Sequence, residues 1–177
     1  MEQENIISLD IKKVVTKTFQ LSIFVGLAVA APYFGNQLIT GSVVNALLFI
    51  SAVTMGLESA FLLCLVPSLV SIYTGLLPLA LTPMIPFIMT GNALLVLTFY
   101  KLANPSATLS AGKYWFGAIS ASVIKYAFIF CIGTVLANSV LHGISSKVAL
   151  MISWPQLATA LSGACLAYLF LKVIKKI

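Results

Sequence analysis

The chain reads as an all-α membrane protein: a six-transmembrane-helix bundle with N and C termini cytoplasmic, preceded by a short amphipathic N-terminal helix. Three observations predict this. Of 177 residues, 60% are hydrophobic and 8% charged, against roughly a quarter charged in a soluble domain. The apolar residues gather into six runs, and the lysines gather on one side of those runs.

Residues 1–17 form the polar segment, cytoplasmic or interfacial. Ile7, Ile11 and Val14 recur at helical spacing while Asp10, Lys13 and Lys17 lie on another face, which suits a helix lying on the membrane surface; a frayed tail fits the same residues. Apolar runs follow near 18–34, 42–56, 60–76, 84–102, 114–137 and 148–174. A spanning helix needs about 17 to 25 residues, so the second run is short and the last two have length to spare. All six belong to one integral membrane domain, residues 1–177. "AVAAP", Ala28 to Pro32, resembles a signal-peptidase site, but the long, acid-containing leader and a proline just past the cut argue against cleavage.

Six spans place both termini on one side. That side holds Lys12, Lys13, Lys17, Lys101, Lys113, Lys172, Lys175 and Lys176, and the opposite side holds Lys147. By the positive-inside rule the termini are cytoplasmic and the protein sits in the cell (plasma) membrane, with connections near 35–42, 76–84 and 138–148 facing out. Tyr114 and Trp115 mark the inner membrane edge, Tyr33 and Trp154 the outer one.

Several function classes are excluded. All ten basic residues are lysines, so the guanidinium fork that reads phosphates and bases is missing and nucleic acid is not a partner. Cys64, Cys131 and Cys165 sit far apart in apolar runs, and His142 is the single histidine; neither a metal site, a cofactor site nor a catalytic triad can be assembled. The chain is not expected to be an enzyme.

The informative residues are the polar ones inside apolar runs, because a polar group in lipid needs an internal partner. Lys125 lies near the midplane of the fifth span. Asn92 is similarly deep in the fourth, Thr40 and Asn45 lie at the outer end of the second, and Trp154 and Gln156 in "SWPQL" at the outer end of the sixth; Asn36 and Gln37 belong to an outer connection. Two stretches echo each other, "TGSVVNALL" from Thr40 and "TGNALL" from Thr90. Both sit on helices running from outside to inside, which predicts convergence on one pocket: Thr40 and Asn45 at the rim, Thr90 and Asn92 deeper, Lys125 below. The alternative is that these groups bond only to one another between helices. Acids are confined to Glu2, Glu4, Asp10 and Glu58, so a pocket here suits a neutral or anionic, partly apolar solute. The apolar, proline-rich connection Gly75 to Pro86 reads as a lid over that pocket or as a re-entrant cap on the bundle. On the first span, Ser22, Gly26 and Ala30 repeat every four residues and make a small-residue face that a partner or another helix can approach closely.

Six short spans, inner termini, a small-residue face on the first helix and an outward pocket under a lid, with "TGSVVNALLF", "PFIMTGN" and "SWPQL" as they stand here, together resemble the substrate-binding S components of energy-coupling factor transporters. The resemblance covers nearly the whole chain in architecture. It implies capture of a vitamin or other micronutrient, docking through Ser22, Gly26 and Ala30 on a transmembrane coupling subunit, two cytoplasmic ATPases in trans, and release of cargo after the subunit topples in the membrane lipid. It also implies a pocket formed by the outer connection Asn36 to Asn45, the lid, Asn92, Lys125, Trp154 and Gln156; the residue reading adds Thr90, and Gln37 and Thr40 lie within that connection. The family's docking face is usually two alanines, whereas Ser22 and Gly26 share that role here. The chain carries no phosphate loop of its own. A structural or assembly subunit of a membrane complex, without a small-molecule ligand, is the competing expectation.

Overall fold

Each apolar run folds as a helix, and the helix ends fall where the sequence supplies a cap or a breaker. The computed structural model describes residues 2–73, 79–105, 109–139 and 152–177. Helix α1, Glu2–Ala30, leads into a 3-10 turn, Ala31–Phe34, opened by Pro32 and closed by Gly35 in the left-handed region at φ 64°. That conformation carries little steric cost without a Cβ. Asn36 then caps α2, Gln37–Thr54: its Oδ1 accepts from the N–H groups of Leu38 at 2.8 Å and Ile39 at 3.4 Å, satisfying donors that the first helical turn leaves open. Gly56, at φ 88°, separates α2 from α3, Leu57–Tyr73. A second 3-10 turn, Leu79–Met84, precedes α4, Ile85–Ala103, and then come α5, Ala111–Ser139, and α6, Trp154–Val173.

Five stretches are long and apolar enough to cross a bilayer, Ile11–Phe34, Gln37–Thr54, Thr82–Ala103, Ala111–Leu136 and Trp154–Val173, and Leu57–Val70 is a shorter apolar helix. The described residues are all-helical, which fits an integral membrane protein of five or six spans. Large apolar side chains such as Phe19, Phe116, Val135, Leu169 and Val173 are exposed on the outward faces, as the faces of a lipid-embedded bundle are.

The broadest helix pairs are α2 with α6 and α4 with α5; α3 packs on α4 and α2, and α1 lies outside against α3 and α2. Small residues set these approaches. A Cβ on Gly163 would lie 2.6 Å from Asn45 Cβ and 2.8 Å from the Ser42 carbonyl oxygen, and one on Gly41 would meet Thr159 at 2.8 Å. Between α4 and α5, a Cβ on Gly91 would lie 2.8 Å from Ile129, and one on Gly117 would lie 3.0 Å from Ala103. Without water to drive apolar surfaces together, such close packing is the main attraction between helices in lipid.

Two sequence expectations are corrected here. The surface helix and first span are one uninterrupted helix, because residues 2–25 contain neither Gly nor Pro to break it. Tyr114 is not an interfacial anchor: it is fully buried, its hydroxyl donates to the Ala164 carbonyl at 2.7 Å, and it sits among Phe49, Phe99, Trp115 and Tyr168. Buried there it locks α5 to α6. Tyr33 and Trp154 are exposed. Gly75 to Pro78 of the expected lid, the outer connection from residue 140 with Lys147, and the first residues of the expected sixth span, 148–151, lie outside the described residues.

Candidate functional site

Lys125 is the fourteenth residue past the start of α5, about 21 Å along it at about 1.5 Å per residue. Its side chain is 3% exposed. An ammonium has donors only, so neighbouring amides must turn their oxygens toward it, and they do. Lys125 Nζ donates to Asn45 Oδ1 at 2.6 Å and to Asn92 Oδ1 at 2.7 Å. One ammonium thus joins α5 to α2 and α4. Asn45 extends the network to α6, its Nδ2 donating to Thr159 Oγ1 at 3.5 Å, and Thr159 Oγ1 donates to the Gln156 carbonyl at 3.2 Å.

Above this network lies a cavity of about 150 Å³, lined by residues of α2, α3, α4, α5 and α6 together with Ile152. The lining follows helical periodicity. Gln37, Thr40, Gly41, Val44 and Asn45 form one stripe of α2; Ile85, Ile88 and Asn92 form one of α4; Gln156 and Thr159 come from α6, and Pro67 and Ser68 from α3. Lys125 is the one charged side chain among the described lining residues, and no acid stands among them. The exposed Glu58 lies 3.9 Å from Lys17. The site therefore offers one fixed positive charge and neutral polar groups within apolar walls.

Six of the nine residues expected at a pocket line this cavity: Gln37, Thr40, Asn45, Asn92, Lys125 and Gln156. Three stand elsewhere. Asn36 is exposed and spends its side chain on capping α2. Thr90 is exposed and donates to the Pro86 carbonyl at 2.8 Å; two residues from Asn92 means roughly 200° around a helix, so both cannot face one pocket. Trp154, two residues from Gln156, is turned away for the same reason and borders a shallow apolar groove with Leu38, Ile39 and Leu166. The depth order also changes. Asn45 is not at the rim beside Thr40; it meets Lys125 at the same level as Asn92. Thr40 lies above them and its Oγ1 donates to the Ala31 carbonyl at 2.9 Å.

Sequence reading missed Thr159, Ser68, Pro67 and the apolar wall of Val44, Ile85, Ile88 and Ile152. Thr159 had a signal: it follows Gln156 by three and precedes Gly163 by four, so all three share a helix face. Of the expected lid, Met84 is fully buried with Ile129 and Ile152, and Ile85 reaches the cavity wall. On α1, Ser22, Gly26 and Ala30 lie on the outside of the bundle: Ser22 and Ala30 are exposed, and a Cβ at Gly26 would meet nothing within 4 Å. No family model, curated protein or solved structure matches the chain.

Proposed function

We propose that this protein is the membrane-embedded binding subunit of an uptake system for a small neutral or anionic, partly apolar micronutrient. The observation that carries the reading is a buried, acid-free lysine at the floor of a cavity between helices. An ionisable group inside a bilayer is expensive, and such groups mark ligand and ion pathways. With both termini cytoplasmic, as the lysine distribution favours, the ends at which α2, α4 and α6 begin face outward, and the cavity faces the same way. The exposed small-residue face of α1 supports docking on a transmembrane coupling subunit driven by cytoplasmic ATPases, in the manner of the energy-coupling factor S components that the chain resembles. Binding and release then need no catalytic step in this chain.

A second reading has its own observation. Lys125 is already held by two amide oxygens, an arrangement that also suits a structural or assembly subunit whose polar groups serve only to join helices. One experiment separates the two. Native mass spectrometry of the purified protein is expected to show a bound small molecule that Lys125→Ala loses. A ligand-free wild type whose melting no vitamin panel shifts identifies the structural reading instead.

A further inference from the structure

The hydrogen-bond directions at the cavity floor specify more than an electrostatic sign. Both amide oxygens that face Lys125 accept a bond from its ammonium. An ammonium carries three donors, so one N–H of Lys125 is left for the cavity, and the Nδ2 group of Asn92, with no partner among the described residues, adds more. The floor thus turns the N–H groups of Lys125 and Asn92 toward the cavity, beside the lone pairs that the two amide oxygens keep. Thr40, Gln37 and Gln156 add polar groups to the lining beyond the floor. Thr40 spends its proton on the Ala31 carbonyl, so its hydroxyl offers the cavity lone pairs only. Between these groups the wall is apolar, built by Val44, Ile85, Ile88 and Ile152.

We infer that the cavity takes a small monocarboxylate, its carboxylate seated on Lys125 and Asn92 and a hydroxyl or N–H group on its upper half turned to Thr40. This rests on the uptake reading above and names the class of solute. A single positive charge with no second cation among the described lining residues balances one negative charge and leaves a second one buried and unpaired, which disfavours dicarboxylates and phosphate esters. A primary amine would bring donors against donors. The cavity, about 150 Å³, is of the order that holds a benzene ring, about 150 Å³, so the portion of the solute inside it is a short chain or a single ring.

The test begins with the molecule extracted from the purified full-length protein, methyl-esterified and weighed before and after. A single methylene gain reports one carboxylate. Benzoate, 4-hydroxybenzoate and 6-hydroxyhexanoate, each against its primary amide, are then titrated by thermal shift and calorimetry. The carboxylates are expected to bind roughly 10- to 100-fold more tightly than the amides, the range of one charge-assisted hydrogen bond. Asn92→Asp is the decisive variant: it keeps a bond to Lys125, so the bundle is retained, but places a carboxylate where the solute's belongs. It is expected to melt at or above the wild-type temperature and to lose the preference for carboxylates. An extracted molecule without a carboxyl group, or amides binding as well as acids, overturns the monocarboxylate assignment and leaves the uptake reading standing. No extracted molecule and no binding by any of the probes overturns both.

Discussion

At the scale of single residues, Lys125 decides both what holds the bundle together and what it can bind. Two short bonds to Asn45 and Asn92 compensate part of the desolvation of a buried charge, and that compensation is lost unevenly when different members are removed. Asn45→Leu leaves the charge with a single amide and is expected to lower stability by about 2–4 kcal/mol. Lys125→Met removes the charge itself and lets the two amides bond each other. Its stability should stay within about 1 kcal/mol of wild type. Thermal unfolding in one detergent compares the pair, and an Asn45→Leu protein that melts like wild type while Lys125→Met collapses would contradict the arrangement. The depth of Lys125 was legible because a lysine far inside an apolar run has few explanations. Its partners were legible only by type. Which of Asn45, Thr90 and Asn92 reach it depends on helix rotation, and the two-residue offset between Thr90 and Asn92 was the clue that one of them must face away.

Among the elements, the two Thr-Gly stretches turn out to do matched work. In each, the glycine sets a close helix crossing, Gly41 with Thr159 of α6 and Gly91 with Ile129 of α5, and the asparagine one or four residues later reaches Lys125. Glycine in an apolar run announces close packing, but sequence does not say against which neighbour. The contrast between buried and open glycines makes this testable. Gly163→Ala forces a Cβ to 2.8 Å from the Ser42 carbonyl and 2.9 Å from the Ala46 nitrogen, both backbone atoms. Helices α2 and α6 must separate, with an expected loss of about 1–3 kcal/mol and a weaker hold on any ligand. Gly26→Leu meets open space and should leave the melting temperature and ligand binding of the isolated protein unchanged while abolishing co-purification with a coupling subunit. A Gly26→Leu protein that still captures such a subunit would refute the role of the α1 face, and a Gly163→Ala protein as stable as wild type would refute the tight α2 to α6 approach. Caps were partly readable as well: Asn36, expected at a pocket, is a helix-capping residue, and its place directly after Gly35 carried that signal.

For the whole molecule, the apolar composition and six runs were enough to predict a helical membrane bundle, and the helix ends moved by only a few residues from the runs that announced them, apart from α1 and the start of α6. What composition does not contain is the relative rotation of the helices, which is why the aromatic residue placed at the membrane edge, Tyr114, is buried in the core. Sidedness is a property of the same scale and rests on the lysines. In the proposed six-span topology eight of them fall on the side that holds both termini, and moving them across the membrane is costly. The uptake reading depends on this, because a cavity opening toward the cytoplasm would bind product and not nutrient. A chain with Cys64, Cys131 and Cys165 replaced by alanine and a single cysteine returned at Asn36 or at Lys113, both exposed positions at opposite ends of the bundle, reports the orientation directly. With a membrane-impermeant maleimide on intact cells, Asn36→Cys is expected to label and Lys113→Cys to stay unlabelled until the cells are permeabilised. The reverse pattern would turn the cavity inward and remove the basis for uptake. Labelling at both positions in intact cells would show that the lysine asymmetry does not fix a single topology.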